Sequence, residues 1–223
     1  MSKKLFIKGT LLLTFAGLAS RLIGFFYRIF LSHTIGAEGL GIFQLVMPLQ
    51  ILALAFCASG IQTAISRLTA SREALGCPGR AGDYFISGTL FSVLFSLVLS
   101  FLFYYRADFW AVKILKEPRT ASLIRMMAPA VPLSTLHTCI NSYYFGRKKA
   151  GLPAGIQLLE QAFRVGGCYV IYLVCISEKR TVTPLMAAGG NLIGETAACI
   201  ASLFFISKRY IIPFFSFKNL LCC

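Results

Sequence analysis

The chain has 223 residues, of which 57% are hydrophobic and 13% are charged, and its formal net charge at pH 7 is +14. This composition excludes an ordinary soluble domain and indicates a helical protein that crosses a membrane several times. The basic residues lie mainly between apolar segments, so the charge indicates membrane topology and an anionic ligand, and we do not predict nucleic-acid binding.

The first apolar segment, residues 9–31, is long enough to cross a bilayer, since about 20 residues at 1.5 Å each cover roughly 30 Å. Arg21 and Arg28 are seven residues apart in it, close to two helical turns, so they share a face. An arginine at mid-membrane costs roughly 2.5–3.5 kcal/mol, which favours a face turned to water or ligand. The alternative is that both side chains reach the headgroups. Gly17 and Gly24 predict a closely packed neighbouring helix.

Five further apolar segments follow, separated by short links. Pro48 lies in the second segment and predicts a kink, because proline lacks a backbone donor. The link before the fourth segment contains Trp110 in an amphipathic sequence, which predicts a helix on the membrane surface. The predicted spans are residues 9–31, 40–65, 84–105, 121–145, 152–176 and 182–207.

The positions of Lys and Arg predict which ends of the spans are cytoplasmic. With a cytoplasmic N-terminus, that side carries 12 of these residues and the other side carries 6. We therefore predict an all-α integral membrane protein with both termini cytoplasmic. It comprises a leader at residues 1–8, a six-helix lobe at residues 9–208 and a tail at residues 209–223, where truncation is expected because the apolar tail ends without a further domain.

Two acidic residues lie deep in the predicted spans. Glu160 precedes Arg164 by four residues, in the order that suits an ion pair, and Gln157 lies one turn earlier on the same face. Such a pair lowers the cost of each charge in lipid and fixes helix packing. Glu195 lies in the sixth span, one turn after Asn191. Both acids are suited to neutralising an arginine or to ion coupling.

Little in the sequence suggests chemistry. His137 has no partner at a spacing typical of metal ligands, so we expect it to be packed or interfacial. No phosphate-binding loop, nucleophile elbow or pair of catalytic carboxylates occurs, so we predict neither an enzyme nor a cofactor. No C-x-x-C occurs either, and we predict neither a metal site nor disulfides. The eight cysteines are Cys57, Cys77, Cys139, Cys168, Cys175, Cys199, Cys222 and Cys223.

Three segments resemble the stage V sporulation protein B family. They are Ser20-Arg21-x-x-Gly24-Phe25, Gly36-Ala37-Glu38-Gly39-x-Gly41-x-Phe43, and Gln157-x-x-Glu160-Gln161-x-x-Arg164 after Pro153. That family belongs to the multidrug/oligosaccharidyl-lipid/polysaccharide exporter superfamily, with the MurJ lipid II flippases and the Wzx-type polysaccharide flippases. Its members usually have two six-helix lobes around a central cavity, so this chain resembles one lobe.

The resemblance implies a flippase in the bacterial cytoplasmic membrane that exports a lipid-linked oligosaccharide or peptidoglycan precursor by alternating access, in spore cortex or cell-wall synthesis. A guanidinium group binds phosphate bidentately, so arginines facing a cavity suit a diphosphate. The substrate-contact candidates are therefore Arg21, Arg28, Arg67 and Arg164. The implied partners are a polyprenyl-diphosphate-linked saccharide, membrane lipids, and a second lobe or a second copy of this chain.

Three alternatives remain open. A multidrug exporter for organic cations, of the same superfamily, needs acids in its cavity, and here arginines outnumber Glu160 and Glu195. A membrane scaffold that recruits cell-wall enzymes would transport nothing. A truncated, inactive product is the third alternative.

Overall fold

The computed structural model describes residues 3–75, 78–179 and 181–214, with side chains in 9–75, 81–179 and 181–206. The described chain is all-helical, which confirms the all-α part of the predicted fold class. Two π-helical turns, Ala55–Ser59 and Trp110–Ile114, interrupt the α-helices. The α-helices are α1 (Lys3–Leu54), α2 (Gly60–Ala74), α3 (Pro78–Tyr105), α4 (Ala107–Phe109), α5 (Thr120–Met127), α6 (Ala130–Gly146), α7 (Gly151–Ser177) and α8 (Leu185–Phe214).

Helix α1 consists of two helices that meet at Gly36. This residue has φ 74° and ψ 170°, a conformation that costs glycine little and other residues much. The first arm of α1, residues 3–35, runs beside α7, since Phe30 stacks edge-on against Tyr172 at 5.6 Å. The second arm, residues 37–54, continues as an α-helix through Pro48. The non-helical residue of α1 is thus Gly36, and not the proline that we expected to distort the helix.

The predicted fourth span, residues 121–145, forms two helices. Helix α5 ends at Met127 and α6 begins at Ala130. Pro129 lies between them, and its missing N–H and bulky ring interrupt the hydrogen bonds of a continuous helix. Ahead of α5, the segment predicted to lie on the membrane surface forms the short α4 and its π-helical turn, and Trp110 stacks edge-on against Phe103 at 4.9 Å.

Contacts between links mark one end of the helix bundle. Glu38, just after the Gly36 break, forms an ion pair with Arg119 at 2.7 Å, between Nη1 and Oε1. Arg119 also donates to Glu117, and this hydrogen bond holds the pKa of the Glu117 carboxyl below its usual value. Gly39 lies against Pro184, which precedes α8. The links that follow the first arm of α1, α3 and α7 therefore meet at this end.

The opposite end is marked by a second set of contacts. Arg147, after α6, forms an ion pair with Glu73 of α2 at 2.5 Å, between Nε and Oε1. Gly9, near the start of α1, lies against Ala150, which precedes α7. Successive long helical segments therefore run in alternate directions between two ends.

Four helices in the described residues are long and apolar enough to cross a membrane. They are Gly9–Ala74, which contains the Gly36 break, Ala81–Tyr105, Gly151–Ser177 and Leu185–Ile206. The chain is accordingly a multi-pass membrane protein.

Glycines bring α7 and α8 into close contact. A Cβ atom on Gly190 would lie 2.7 Å from Cys168 Cβ, and one on Gly194 would lie 2.9 Å from the Glu160 carbonyl oxygen. Small residues four apart allow this approach between membrane helices. No helix of the described structure makes the close approach predicted at Gly17 and Gly24, because a Cβ atom built on either glycine has no neighbour within 4 Å.

We predict that Gly190→Ala destabilises the α7–α8 contact. The added methyl group has no space, and overpacking typically costs about 1–3 kcal/mol. Chemical denaturation of the purified protein in detergent measures the change. Gly166→Ala, on α7, is the matched control, since a Cβ there meets nothing within 4 Å. Equal stability of the two variants would contradict the prediction.

Candidate functional site

A cavity of about 540 Å³ lies between α2, α6 and α7. Each helix contributes side chains at helical spacing, so one polar face of each helix borders the cavity. Its lining contains hydroxyl and amide groups, one arginine near the surface, and a histidine and a carboxylate farther in. The lining residues are Gln62, Thr63, Ser66, Arg67, His137, Thr138, Asn141, Ser142, Phe145, Pro153, Gln157 and Glu160.

The cavity extends from one end of the bundle toward its middle. Arg67 is exposed, and Phe145 lies at the end of α6 that carries the Arg147–Glu73 ion pair. His137 is buried, and it precedes Phe145 by eight residues, or about 12 Å along a helix at 1.5 Å per residue. The histidine and Glu160 therefore form the inner part of the lining.

The four candidate arginines occupy three different environments. Arg67 lines the cavity. Arg164 is half-buried and engaged in ion pairs. Arg21 and Arg28 are exposed on the first arm of α1, and within the described residues neither belongs to the cavity lining. The structure therefore brings Arg67 together with Gln157 and Glu160, and leaves the α1 arginines apart from them.

Four charged or titratable side chains from three helices meet beside the inner end of the cavity. His137 Nε2 lies 2.9 Å from Glu195 Oε2, and the other oxygen of Glu195 lies 3.7 Å from Arg164 Nη2. Arg164 also forms an ion pair with Glu160, four residues earlier on α7. Glu195 thus connects His137 on α6 to Arg164 on α7.

Burial makes this cluster energetically important. Glu195 is 6% exposed and His137 is 7% exposed, whereas an isolated buried charge costs several kcal/mol. Two carboxylates share one guanidinium, so with a neutral His137 the cluster carries a net charge of −1. A single added positive charge would neutralise it.

The helix packing described above positions these groups. Gly194 allows the backbone of α8 to lie against Glu160 and Arg164, which places the neighbouring Glu195 within reach of α7. One turn earlier on α8, Asn191 donates to Gln50 of α1 at 3.2 Å, and both side chains are buried. A buried amide pair and an ionic cluster therefore hold α8 against its neighbours.

His137 is the residue whose role the sequence analysis missed. We expected a packed or interfacial histidine with no partner at metal-ligand spacing. The side chain is buried, as a packed histidine would be, but two carboxylates lie near it, from α7 and α8. These carboxylates belong to Glu160 and Glu195, which are distant from His137 in the sequence, so local spacing gave no indication of them. Two other signals were available: the polar positions of α6 at helical spacing, and the Gly190-x-x-x-Gly194 pattern on α8.

Comparison with known proteins identifies relatives of the chain. Residues 6–221 match the family model described as polysaccharide biosynthesis protein. The chain is 29% identical to stage V sporulation protein B of Bacillus subtilis (strain 168) over 206 residues, which are 92% of this chain and 39% of that protein. It is 25% identical to lipid II flippase MurJ of the same organism over 173 residues, which are 74% of this chain and 32% of that protein.

The chain therefore spans less than half the length of these two relatives. No solved structure matches it.

We predict that Arg164→Leu lowers the free energy of unfolding by about 3–5 kcal/mol, because it leaves the buried Glu195 and the half-buried Glu160 without their shared cation. Chemical denaturation in detergent measures this loss. The double variant Glu160→Leu/Arg164→Leu should lose less stability than Arg164→Leu, since one unpaired carboxylate is removed. Arg125→Leu is the control: its ion pair with Asp108 is exposed, and such pairs contribute about 1 kcal/mol or less. Equal losses in the two arginine variants would contradict the prediction.

Proposed function

The chain belongs to the polysaccharide biosynthesis protein family, and we propose that it forms one lobe of a flippase for a lipid-linked oligosaccharide or peptidoglycan precursor. Transport would proceed by alternating access in the cytoplasmic membrane, and no covalent bond would be made or broken. A relative of the chain bears the name lipid II flippase, which supports a substrate of this class.

The cavity between α2, α6 and α7 is the observation that carries the proposal. Its hydroxyl and amide groups match the hydrogen-bonding groups of a saccharide, which are themselves mainly hydroxyls and amides. Arg67 supplies a guanidinium at the exposed part, where a diphosphate would bind. The polyprenyl chain would remain in the lipid beside the exposed apolar faces of the helices.

Arg21 and Arg28 have a separate place in this proposal. Both are exposed, whereas Tyr27 and Leu31 of the same arm are buried in the core and Phe30 stacks against Tyr172 of α7. The relatives are more than twice as long as the matched region, so a second lobe or a second copy of this chain would face that surface. We propose that the two arginines line the space between the lobes.

Six membrane crossings with cytoplasmic termini form part of the proposal. The alternate direction of successive helices supports six crossings. The links after the first, third and fifth predicted spans meet at one end of the bundle, and the links after the second and fourth spans lie at the opposite end. The predicted excess of basic residues at the N-terminal end supports a cytoplasmic location for that end.

The rival transport function, export of organic cations, rests on Glu160, whose carboxylate lines the cavity. Cation binding there would compete with Arg164, which already neutralises this group. A scaffold role would require neither the cavity nor the arginine, Arg67, that lines it. Reconstitution of the purified chain separates the three functions: a flippase moves a fluorescent lipid-linked saccharide between leaflets, a multidrug exporter moves an organic cation, and a scaffold moves neither.

We predict that the purified chain in detergent binds a fluorescent polyprenyl-diphosphate saccharide, and that Arg67→Gln weakens binding about tenfold or more. A hydrogen bond to a charged group contributes about 1.5–3 kcal/mol, and 1.4 kcal/mol corresponds to tenfold in Kd. Fluorescence anisotropy measures the affinity.

Arg125→Gln is the matched control, because Arg125 is an exposed arginine outside the cavity lining. Unchanged affinity in Arg67→Gln, or an equal loss in both variants, would remove the cavity from the proposal. Failure of the unmodified chain to bind the lipid-linked saccharide would contradict the proposed substrate class.

A further inference from the structure

We propose that His137, Glu160 and Glu195 form a binding site for a divalent transition-metal ion such as Zn²⁺ or Co²⁺. Each side chain offers one ligand atom, and these atoms all lie within 4.8 Å of one another. One imidazole nitrogen and two carboxylate oxygens are a ligand set that suits Zn²⁺ and its neighbours in the first transition series. The site lies inside the helix bundle and joins α6, α7 and α8.

The separations require little rearrangement. Ligands at roughly 2.0–2.2 Å from a tetrahedral ion are about 3.3–3.6 Å apart, so the ligand atoms need to close by little more than 1 Å. His137 Nε2 and Glu195 Oε2 are already 2.9 Å apart. Because α7 and α8 are held together at Gly194, the two carboxylates are supplied by helices whose backbones are in direct contact.

The cavity gives the site an entrance and an open coordination position. His137 and Glu160 both line it, so an ion reaches these two ligands through the polar lining and not through lipid. Three protein ligands leave a fourth position for water or an anionic group, and the cavity beside His137 and Glu160 gives such a ligand access.

A buried and unpaired nitrogen is the second observation that points to a ligand. His137 is 7% exposed, and its Nδ1 atom has no hydrogen-bond partner in the described structure. In the metal-free site Nε2 donates its proton to Glu195, since a carboxylate only accepts. A metal that binds Nε2 therefore takes the place of this hydrogen bond, and the ring proton then resides on Nδ1. Asn141, one turn along α6, has a buried and unpaired Oδ1, an acceptor of the kind that metal-bound histidines use on their second nitrogen.

Arg164 is the resident competitor for this site. Its guanidinium pairs with Glu160 and lies 3.7 Å from Glu195, so it occupies the same carboxylates that a metal would use. A divalent ion added to the present cluster would change its net charge from −1 to +1, and displacement of the guanidinium relieves that excess. Removal of this competitor should therefore strengthen metal binding.

The proposal concerns metal binding alone and requires no transport, so its failure and that of the flippase function are distinguishable. The test uses the full 223-residue chain, purified in detergent without a histidine tag and stripped of metal with a chelator. Co²⁺ is titrated while visible absorption is recorded, and Zn²⁺ is titrated by calorimetry. The absence of thiolate-to-cobalt absorption excludes binding at any of the eight cysteines.

We expect one Co²⁺ per chain with nitrogen and oxygen ligands, and at least tenfold weaker binding in His137→Ala and in Glu195→Gln, which keeps the volume of the side chain. His33→Ala is the matched control, since His33 is the other histidine of the chain and is exposed. It should bind as the unmodified protein does. Equal binding in His137→Ala and His33→Ala would overturn the proposal, as would a thiolate spectrum.

A variant with increased affinity keeps the test decisive if the others fold poorly. Arg164→Gln should bind Zn²⁺ at least tenfold more tightly, and Zn²⁺ should raise its thermal unfolding temperature, because an ion that binds only the folded state stabilises it. The double variant Arg164→Gln/His137→Ala should show neither effect. No binding in both the unmodified chain and Arg164→Gln would refute the site.

Discussion

The charge of Glu195, buried where three helices meet, constrains the rest of the structure. A carboxylate that is 6% exposed needs compensating partners, and it finds them on two other helices, as His137 on α6 and Arg164 on α7. Removal of either partner leaves a buried charge, so the relative positions of α6, α7 and α8 are linked to its neutralisation. The ion pair of Arg164 with Glu160 extends this dependence along α7.

Backbone packing makes the charge compensation geometrically possible. An ionic contact between helices requires the charged ends of two side chains to meet, and the glycines of α8 let its backbone lie against that of α7. Within lipid, helix association relies on such packing and on polar contacts, because apolar side chains gain little by leaving one apolar environment for another. The buried Gln50–Asn191 pair contributes in the same way between α1 and α8.

The cavity and the cluster are parts of one polar region. Most of the residues that line the cavity are uncharged and polar, and it ends at His137 and Glu160, which also belong to the cluster. A ligand at the inner end would therefore meet two carboxylates that share the single guanidinium of Arg164, whereas a ligand near Arg67 would meet an exposed cation. This difference in electrostatics between the two ends favours an anionic group at the outer part and disfavours one at the inner end.

The sequence by itself determined the class of the protein and its local features. Long apolar segments with basic links indicated membrane helices, and the four-residue spacing of Glu160 and Arg164 placed both on one helix face. The glycine-rich turn at Gly36-Ala37-Glu38-Gly39 lay at the correct link. These features depend on interactions between residues near each other in the chain, which periodicity and turn chemistry describe well.

Tertiary structure alone decided which polar groups meet. His137 and Glu195 are 58 residues apart, and Gln50 and Asn191 are 141 apart, so no local pattern connected them. Within the described residues, no helix lies close to Gly17 and Gly24 as expected, for the same reason: spacing shows which residues share a face, and packing decides what that face contacts. Helix spacing likewise placed Arg21 and Arg28 together but did not reveal that Arg67 is the candidate arginine in the cavity lining. The physical reason is that a cavity belongs to the space between helices, and their relative rotation is set by long-range packing and charge compensation.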